Sequence, residues 1–426
     1  MMHEIKIEEV TNISPQDFFT KFVHPRQPCK LSSHTLQCDG MMKWKNFEYL
    51  KEKCGKYSVR VERRNSTEET YGNGYETDML FEDFVTLVKD ENEKVYVTTQ
   101  ELSYTEEGLP SLFSPPIDGL LSDFDIIPNL MGNLLPSNLN LWMGYSSPDN
   151  PSSSRLHHDF HDNLYILLKG EKKILLYHFD HAPNMYTVGT IDKIHKNGRI
   201  NYVGQRPTNA DGTDISSNAA HIASLNLDKA LKKLVNIENC DNSVLYDEID
   251  DEVDKALEGV LDAEIADNDF WVEDDYDDDD DDDDDIDDEN SCQSDGDVSE
   301  NVSVGNGDYN HKRKSNCNAS DNKNKIANSK SDPNNFSLVD LTLSDEDLKA
   351  KFPLFYSIKN KKIEVTLKEG EGLFIPAGWF HEVKSSGTHM AFNYWFHPCG
   401  GVKYCCYETP YGDNDFWLCD WLKRLE

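Results

Sequence analysis

"RLHHDFHDNLYILLKGEKKILLY", Arg155 to Tyr177, decides the reading of this chain. Three histidines and two aspartates fall within six positions, His157 to Asp162, and a strand-like apolar run follows at once. On a strand, side chains two apart point to the same face, so His157 and Asp159 project together. An imidazole and a carboxylate at that spacing form two corners of a metal site. One remote histidine would complete a two-histidine, one-carboxylate triad, which suits iron(II) and leaves positions open for a bidentate cosubstrate and dioxygen. Zinc is the rival metal, because the same ligands bind it. The pairing is not unique: His158 and His161 sit in the same crowd, and His157 with His161 would also share a face. An isolated HxD is most often solvated surface, so the assignment needs support from elsewhere in the chain.

Part of that support follows directly. "NLYILLKGEKKILLY" reads as two apolar strands joined around Gly170, the composition of a hairpin. Lys172 follows the turn and leads into "ILLY". It is either a solvated strand-end lysine or a fixed cation for a cosubstrate carboxylate, which is costly to bury unpaired. Tyr96, in "KVYVTTQ", and Ser154 are hydroxyls that could donate to the same carboxylate. The remote histidine is best sought after an apolar strand and a turn, and "GEGLFIPAGWFHEV" offers His381. Pro376 and Gly378 turn the chain there, and Trp379-Phe380 can exclude water. His389, in the loop "SSGTH", and His397, past "FNYWF", compete with it.

Around this centre the chain of 426 residues is 37% hydrophobic and 11% aromatic, enough for one large domain or two ordinary ones. Its net charge of −37 is localised, since Asp241 to Glu300 holds 30 acidic residues against the single Lys255. The remainder is unremarkable for a soluble protein. Ten cysteines form no CxxC pair, so a cysteine-based zinc module is disfavoured and free thiols in the cytoplasm or nucleus are expected. No apolar signal core or membrane-length run occurs, so no membrane partner is expected.

The predicted organisation has five parts. Residues 1–137 read as mixed α/β elements: Ser14-Pro15 caps a helix through "QDFFTKFV", "WKNFEYLKEKCG" is a second helix ended by Gly55, and "YSVRVER" is a strand. Thr77 is expected to cap a third helix through "MLFEDFVTLVKD". Residues 138–204 begin the β-rich part with "NLNLWMGYSS". Residues 205–335 carry the Asp tract Asp277 to Asp285 and little apolar content, the composition of a largely disordered insertion, with a short helix near "SLNLDKALKKLVNIENC". Residues 336–400 return to strands, and 401–426 end in an amphipathic helix with Phe416, Trp417, Trp421 and Leu425 on its apolar side.

The blocks "VYVTTQ", "NLWMGYSS", "LHHDFHDNLYILLKGEKKILL", "GEGLFIPAGWFHEV" and "AFNYWFH" together resemble the JmjC (Jumonji C, cupin-like) oxygenases, which use iron(II) and 2-oxoglutarate. The match is closest to the small lysyl hydroxylases of the Jumonji domain-containing protein seven type. It covers Met1 to Gln205 and Asn335 to the C-terminus. The resemblance implies a mainly β fold with flanking α, a double-stranded β-helix of jelly-roll type, to which the chain's own pattern adds N-terminal α/β elements, a C-terminal helix and the acidic insertion. It places His157, Asp159 and His381 on the iron ligands and Lys172 on the cation for the distal carboxylate of 2-oxoglutarate. Tyr96 and Ser154 become the assisting hydroxyls. Asn163 and Asn393 become polar positions beside the cosubstrate, and Trp395 an aromatic position lining that end of the barrel. Trp142 and Tyr165 are expected substrate contacts. The insertion departs from the family by spacing the ligand blocks unusually far apart, which loop-closure entropy tolerates.

The implied reaction is hydroxylation of a protein side chain, a lysyl side chain favoured, coupled to decarboxylation of 2-oxoglutarate to succinate with O2 consumed. An N-methyl-lysine demethylase ranks second, because no reader or zinc module accompanies the site. A tRNA-modifying oxygenase ranks third, because no concentrated basic surface with interleaved aromatics is visible and "HKRK", His311 to Lys314, is short. A non-catalytic cupin binding module is the alternative outside enzymes. A basic protein partner for the Asp-rich insertion and a homodimer through the C-terminal helix are the further partners considered.

Overall fold

The computed structural model describes residues 7–36, 38–64, 74–92, 94–102, 104, 111–237, 243–272, 332–398 and 416–425, with backbone alone at 236–237, 243–248, 264–272 and 425. The chain opens with β1 (Glu8–Val10), α1 (Pro15–Phe18), β2 (Cys29–Leu31), α2 (Ser33–Leu36), α3 (Phe47–Cys54), β3 (Ser58–Arg63), β4 (Tyr75–Leu80), α4 (Phe81–Lys89) and β5 (Val95–Val97). The barrel's first half follows as β6 (Pro136–Ser146), β7 (Ser152–Ser153), β8 (His157–His158) and β9 (Asp162–Tyr177), with β10 (Ile191–Ile194) and β11 (Ile200–Tyr202) as a separate pair. Then come α5 (Ile215–Ile237), α6 (Ser243–Val272), α7 (Asp345–Lys351), α8 (Pro353–Ile358), β12 (Ile363–Leu367), β13 (Gly372–Ile375), β14 (Phe380–Phe396) and α9 (Phe416–Leu425).

Twelve strands join in one sheet, ordered β1-β2-β13-β9-β14-β6-β5-β3-β4, with β12 on β9 and β7 and β8 on β14. The sheet rolls around an interior of Tyr165, Leu167, Ile174, Leu176, Leu373, Ile375 and Ala391, as a jelly-roll core requires. The N-terminal elements cover its outer face, where Phe18, Trp44 and Phe84 belong to one core with Leu164, Ile166 and Leu168. Alternate residues of "LYILL" thus enter two different cores, which explains an unbroken apolar run where a one-sided strand would alternate. The expected caps are present: Ser14 Oγ accepts from Asp17 N, with Pro15 in the first turn, and α3 stops at Gly55.

Four expectations change. The hairpin around Gly170 does not exist: β9 is one 16-residue strand. β14 accompanies it from Phe380↔Tyr177 to Phe396↔Asp162, while its two halves meet different strands on the other side, Asn163–Ile166 on β13 and Lys172–Leu176 on β12. Gly170, at φ 87°, is a bulge inside this strand, and an added Cβ would lie 2.6 Å from the Thr388 carbonyl oxygen. The facing "SSGTH" is no loop either but the matching irregularity of β14, between Ser386 and Met390. The third helix begins at Phe81 because Thr77 is held in β4, paired with Val61.

The insertion is ordered further than expected. Thr208 bridges Asp214, whose carboxylate accepts from Ser217 N at 3.0 Å and caps the long helix α5. Lys233 reaches Glu252 of α6 at 2.7 Å, and Ala230 and Ala263 are buried. Small residues at helical spacing allow this packing where bulk composition suggested none. The Asp tract, Asp277 to Asp285, lies outside the described residues. Among the described residues Cys29, Cys38, Cys54 and Cys419 are free thiols, and no helix is long and apolar enough to cross a membrane.

Candidate metal centre and cosubstrate pocket

β8 adds to the start of β14 in the register His157↔His381 and Phe380↔His158. Direct cross-strand partners share a face, so the two histidines from opposite ends of the sequence meet with ring centroids 4.4 Å apart. Asp159 leaves the strand immediately after, its Oδ2 3.7 Å from His381 Nε2. Ligand atoms of His157, Asp159 and His381 all lie within 4.8 Å of one another, so the three could hold a metal ion. Each imidazole is already oriented. His157 Nδ1–H donates to the Arg155 carbonyl at 2.9 Å and His381 Nδ1–H to the Trp379 carbonyl at 3.0 Å, which leaves both Nε2 lone pairs for a metal. The turn before β14 is tied to the same place, because Gly378 N donates to the Asp159 carbonyl at 2.9 Å.

The electrostatics suit that task. Burial, and then the His381 ring, push His157 down to about 4, so it is a neutral donor at neutral pH. Burial alone would raise Asp159, but His381 and His157 outweigh it and hold the carboxyl below its usual range. Protons therefore compete weakly with a cation for the His157 and Asp159 atoms. His158 turns away as expected: it is fully buried against Tyr202, with Nε2 2.6 Å from the phenolic oxygen. His389 and His397 lie outside the cluster of three.

Four residues expected at the cosubstrate or the substrate form a hydrogen-bonded network that converges on Asp159. Trp142 Nε1 donates to Asn393 Oδ1 at 2.7 Å, Asn393 Nδ2 to Asn163 Oδ1 at 3.0 Å, and Asn163 Nδ2 to Asp159 Oδ2 at 3.0 Å. Trp395 Nε1 reaches the same oxygen at 3.1 Å. These contacts fix the carboxylate's rotamer. Tyr165 lies under Lys172, whose Nζ is 5.3 Å from the ring centroid.

Lys172 is 1% exposed, and among the described residues no carboxylate or hydrogen-bond acceptor pairs with it. Burial pushes it down to about 7. It shares a β9 face with Ile174 and Leu176, and β14 answers with Ser385, Val383 and His381, so cation and triad face one interior. A buried ammonium without a counter-charge fits an anionic ligand. Tyr96 lies on this side, 5.7 Å from the His389 ring. The Ser154 hydroxyl accepts from Val383 N and donates to the Arg155 carbonyl. Ser385, the cross-strand partner of both Lys172 and Ser152, takes the place beside the cation.

Two further residues were not legible in the sequence. Phe336 stacks on His157 with centroids 4.9 Å apart, because the chain returning from the insertion forms a bridge at His157. Arg155 clasps Asp332 with two hydrogen bonds at 2.7 and 2.6 Å and anchors that return. Neither sits in a motif, and both pairings span more than 170 residues.

A rolled β-barrel with two histidines and an aspartate gathered inside it defines a cupin-type protein with a candidate metal centre. The family described as "Cupin-like domain" matches residues 15–400. The chain is 31% identical over 448 residues to JmjC domain-containing protein 4 of Schizosaccharomyces pombe, spanning 96% of this chain and 88% of that protein. Shorter stretches, both 37% identical, match JmjC domain-containing protein F of Dictyostelium discoideum (76 residues, 18% of this chain and 15% of that one) and lysine-specific demethylase JMJ32 of Arabidopsis thaliana (62 residues, 14% and 18%). The chain belongs to the JmjC cupin family, whose members are typically 2-oxoglutarate-dependent oxygenases that bind iron(II).

Proposed function

We propose that this protein is an iron(II)- and 2-oxoglutarate-dependent oxygenase that hydroxylates a protein side chain, a lysyl side chain favoured. The observation that carries the reading is the facing of His157, Asp159 and His381 and of the unpaired Lys172 into one barrel interior. The triad residues would hold the iron. Lys172 would meet the far carboxylate of 2-oxoglutarate, with Tyr96 and Ser385 beside it. Bound iron with 2-oxoglutarate and dioxygen supplies an oxidant able to replace hydrogen by hydroxyl at an unactivated C–H bond, with succinate and CO2 as coproducts. The protein's part is orientation and dryness. Trp395 and Asn163 steady Asp159, while buried Trp379 and Phe380 keep water from His381.

The lysyl preference is supported by the block resemblance to the lysyl hydroxylases. Demethylation of an N-methyl lysine is the second reading, favoured by the short match to a protein named a lysine-specific demethylase. Anaerobic iron(II) with 2-oxoglutarate should give a weak visible charge-transfer band, and admission of air should yield succinate. The double variant His157→Ala, Asp159→Ala should lose both while keeping its circular dichroism. Mass spectrometry of treated peptides separates the outcomes: a gain of 16 Da on lysine supports hydroxylation, whereas loss of methyl with release of formaldehyde supports the second reading. Succinate formation by the double variant would refute the site.

A further inference from the structure

Beside Lys172 lies a second buried polar group with no partner. His389 is 0% exposed, and its Nδ1–H donates to the Gly387 carbonyl at 2.9 Å. The tautomer is thereby fixed, and Nε2 is left as a bare lone pair that meets no hydrogen-bond partner. An unsatisfied buried acceptor is costly and calls for a purpose. The two bulges put it there. Gly170 lies against Thr388 and His389, so close that an added Cβ would sit 3.3 Å from His389 Cα, and Lys172 follows two residues later. Across the sheet, Gly144 of β6 pairs with both His389 and Tyr96, and its missing side chain lets the Tyr96 ring cross toward the imidazole. His389 is near enough to the Lys172 ammonium to be held neutral by it, after burial itself, down to about 3.

A neutral imidazole lone pair beside an unpaired ammonium is an electrostatically matched couple. We propose that His389 is a positioning residue for Lys172: its Nε2 accepts from the ammonium, directly or through one water, and turns the remaining N–H bonds toward an entering dicarboxylate. The inference rests on the oxygenase reading of the pocket and adds a residue to it. A lysine ammonium has three donors and swings freely on a flexible stem. With one donor held by Nε2 its orientation is fixed before the anion arrives, and less ordering entropy is lost on binding. The acceptor also favours the charged form of Lys172 over the neutral one, against the cost of burial. Other groups facing His389 and Lys172 are Arg64 beyond the end of β3, Tyr96 of β5 and its cross-strand partner Glu62, and Tyr165 beneath the lysine. None of them follows the substitution below, so a change in pH dependence would report the couple itself.

The test is calorimetric binding of 2-oxoglutarate to the manganese(II)-loaded full chain without oxygen, from pH 6 to 9. His389→Phe keeps a ring and removes the lone pair, and His389→Gln restores an acceptor. The expected result is about tenfold weaker binding for His389→Phe. Its affinity should also fall away at lower pH than in the wild type, because Lys172 gives up its proton sooner. His389→Gln should return to within about threefold of wild type with its pH profile restored. Equal weakening by both variants with an unmoved pH profile would reduce His389 to a packing residue and overturn the proposal, as would wild-type behaviour in His389→Phe. Should the variants not fold, the nitrogen NMR shift of His389 Nε2 in the wild type decides. The shift of a hydrogen-bonded acceptor before any 2-oxoglutarate is added supports the couple, and the shift of a bare lone pair overturns it. Wild-type protein that binds no 2-oxoglutarate at all would defeat the oxygenase reading, and the inference with it.

Discussion

Lys172 concentrates the residue-scale chemistry. Burial lowers it from 10.5 to about 7 in the folded chain, so between those values the unfolded chain binds the additional proton. The sign is therefore definite: ligand-free protein gains stability as pH rises from about 7 toward 10.5 and carries the full penalty below pH 7. Lys172→Met should stabilise the ligand-free protein by about 2 kcal/mol at pH 6 and flatten this slope, while abolishing 2-oxoglutarate binding. Urea denaturation at pH 6 and pH 9 checks both signs, and equal stability of variant and wild type at pH 6 would contradict them. Asp162 is the complementary case. It is fully buried in an ion pair with Arg26 and accepts from Ala377 N at 2.9 Å, joining the N-terminal elements to the turn before His381. Asp162→Ala strands the guanidinium and should cost about 3 to 5 kcal/mol of folding stability by the same measurement.

At the scale of elements, the two long strands explain both what was legible and what was not. The apolar runs on either side of Gly170 are unmistakably strand, but a Lys-Gly-Glu-Lys sequence is equally the signature of a hairpin and of a bulge. What separates them is pairing: two halves of β9 that bond to β12 and β13 cannot also bond to each other. Gly170→Ala must adopt a left-handed φ and bring a methyl against the Thr388 carbonyl. A loss of about 3 kcal/mol is expected, with 2-oxoglutarate binding weakened through the displaced Lys172. A variant as stable as the wild type would show that the bulge relaxes without strain. Thr77 fails as a helix cap for the same kind of reason, since the β3 edge claims it first. The last helix, α9, is used within the chain: Trp421 is buried with Leu112 and Leu135, and Trp417 stacks on His397 with centroids 3.5 Å apart.

For the whole molecule, the long separation of the ligand blocks is harmless because they meet by strand addition. β8 and β14 pair regardless of how many residues lie between them, and the entropy of closing the connection grows only logarithmically. All side chains of the candidate centre come from residues outside 273–331. Replacing that stretch by a glycine-serine linker of about 20 residues should leave the melting temperature and the affinity for 2-oxoglutarate unchanged, as read by calorimetry. A fall of more than tenfold in affinity would assign the acidic stretch a part in the pocket.

The sequence by itself determined a β-rich pattern and the HxD pair, because strand periodicity and ligand chemistry are local properties written in neighbouring residues, while the resemblance to the JmjC oxygenases singled out His381 and Lys172 and implied the jelly-roll fold. Tertiary structure alone decided which polar groups serve which partner. Asn163 and Trp395 donate to Asp159, Asn393 to Asn163 and Trp142 to Asn393, Ser154 bonds to the backbone, and Ser385 pairs with Lys172 across the strands. These assignments depend on cross-strand register across as many as 251 residues, and shifting a strand by one position would turn its side chains to the other face.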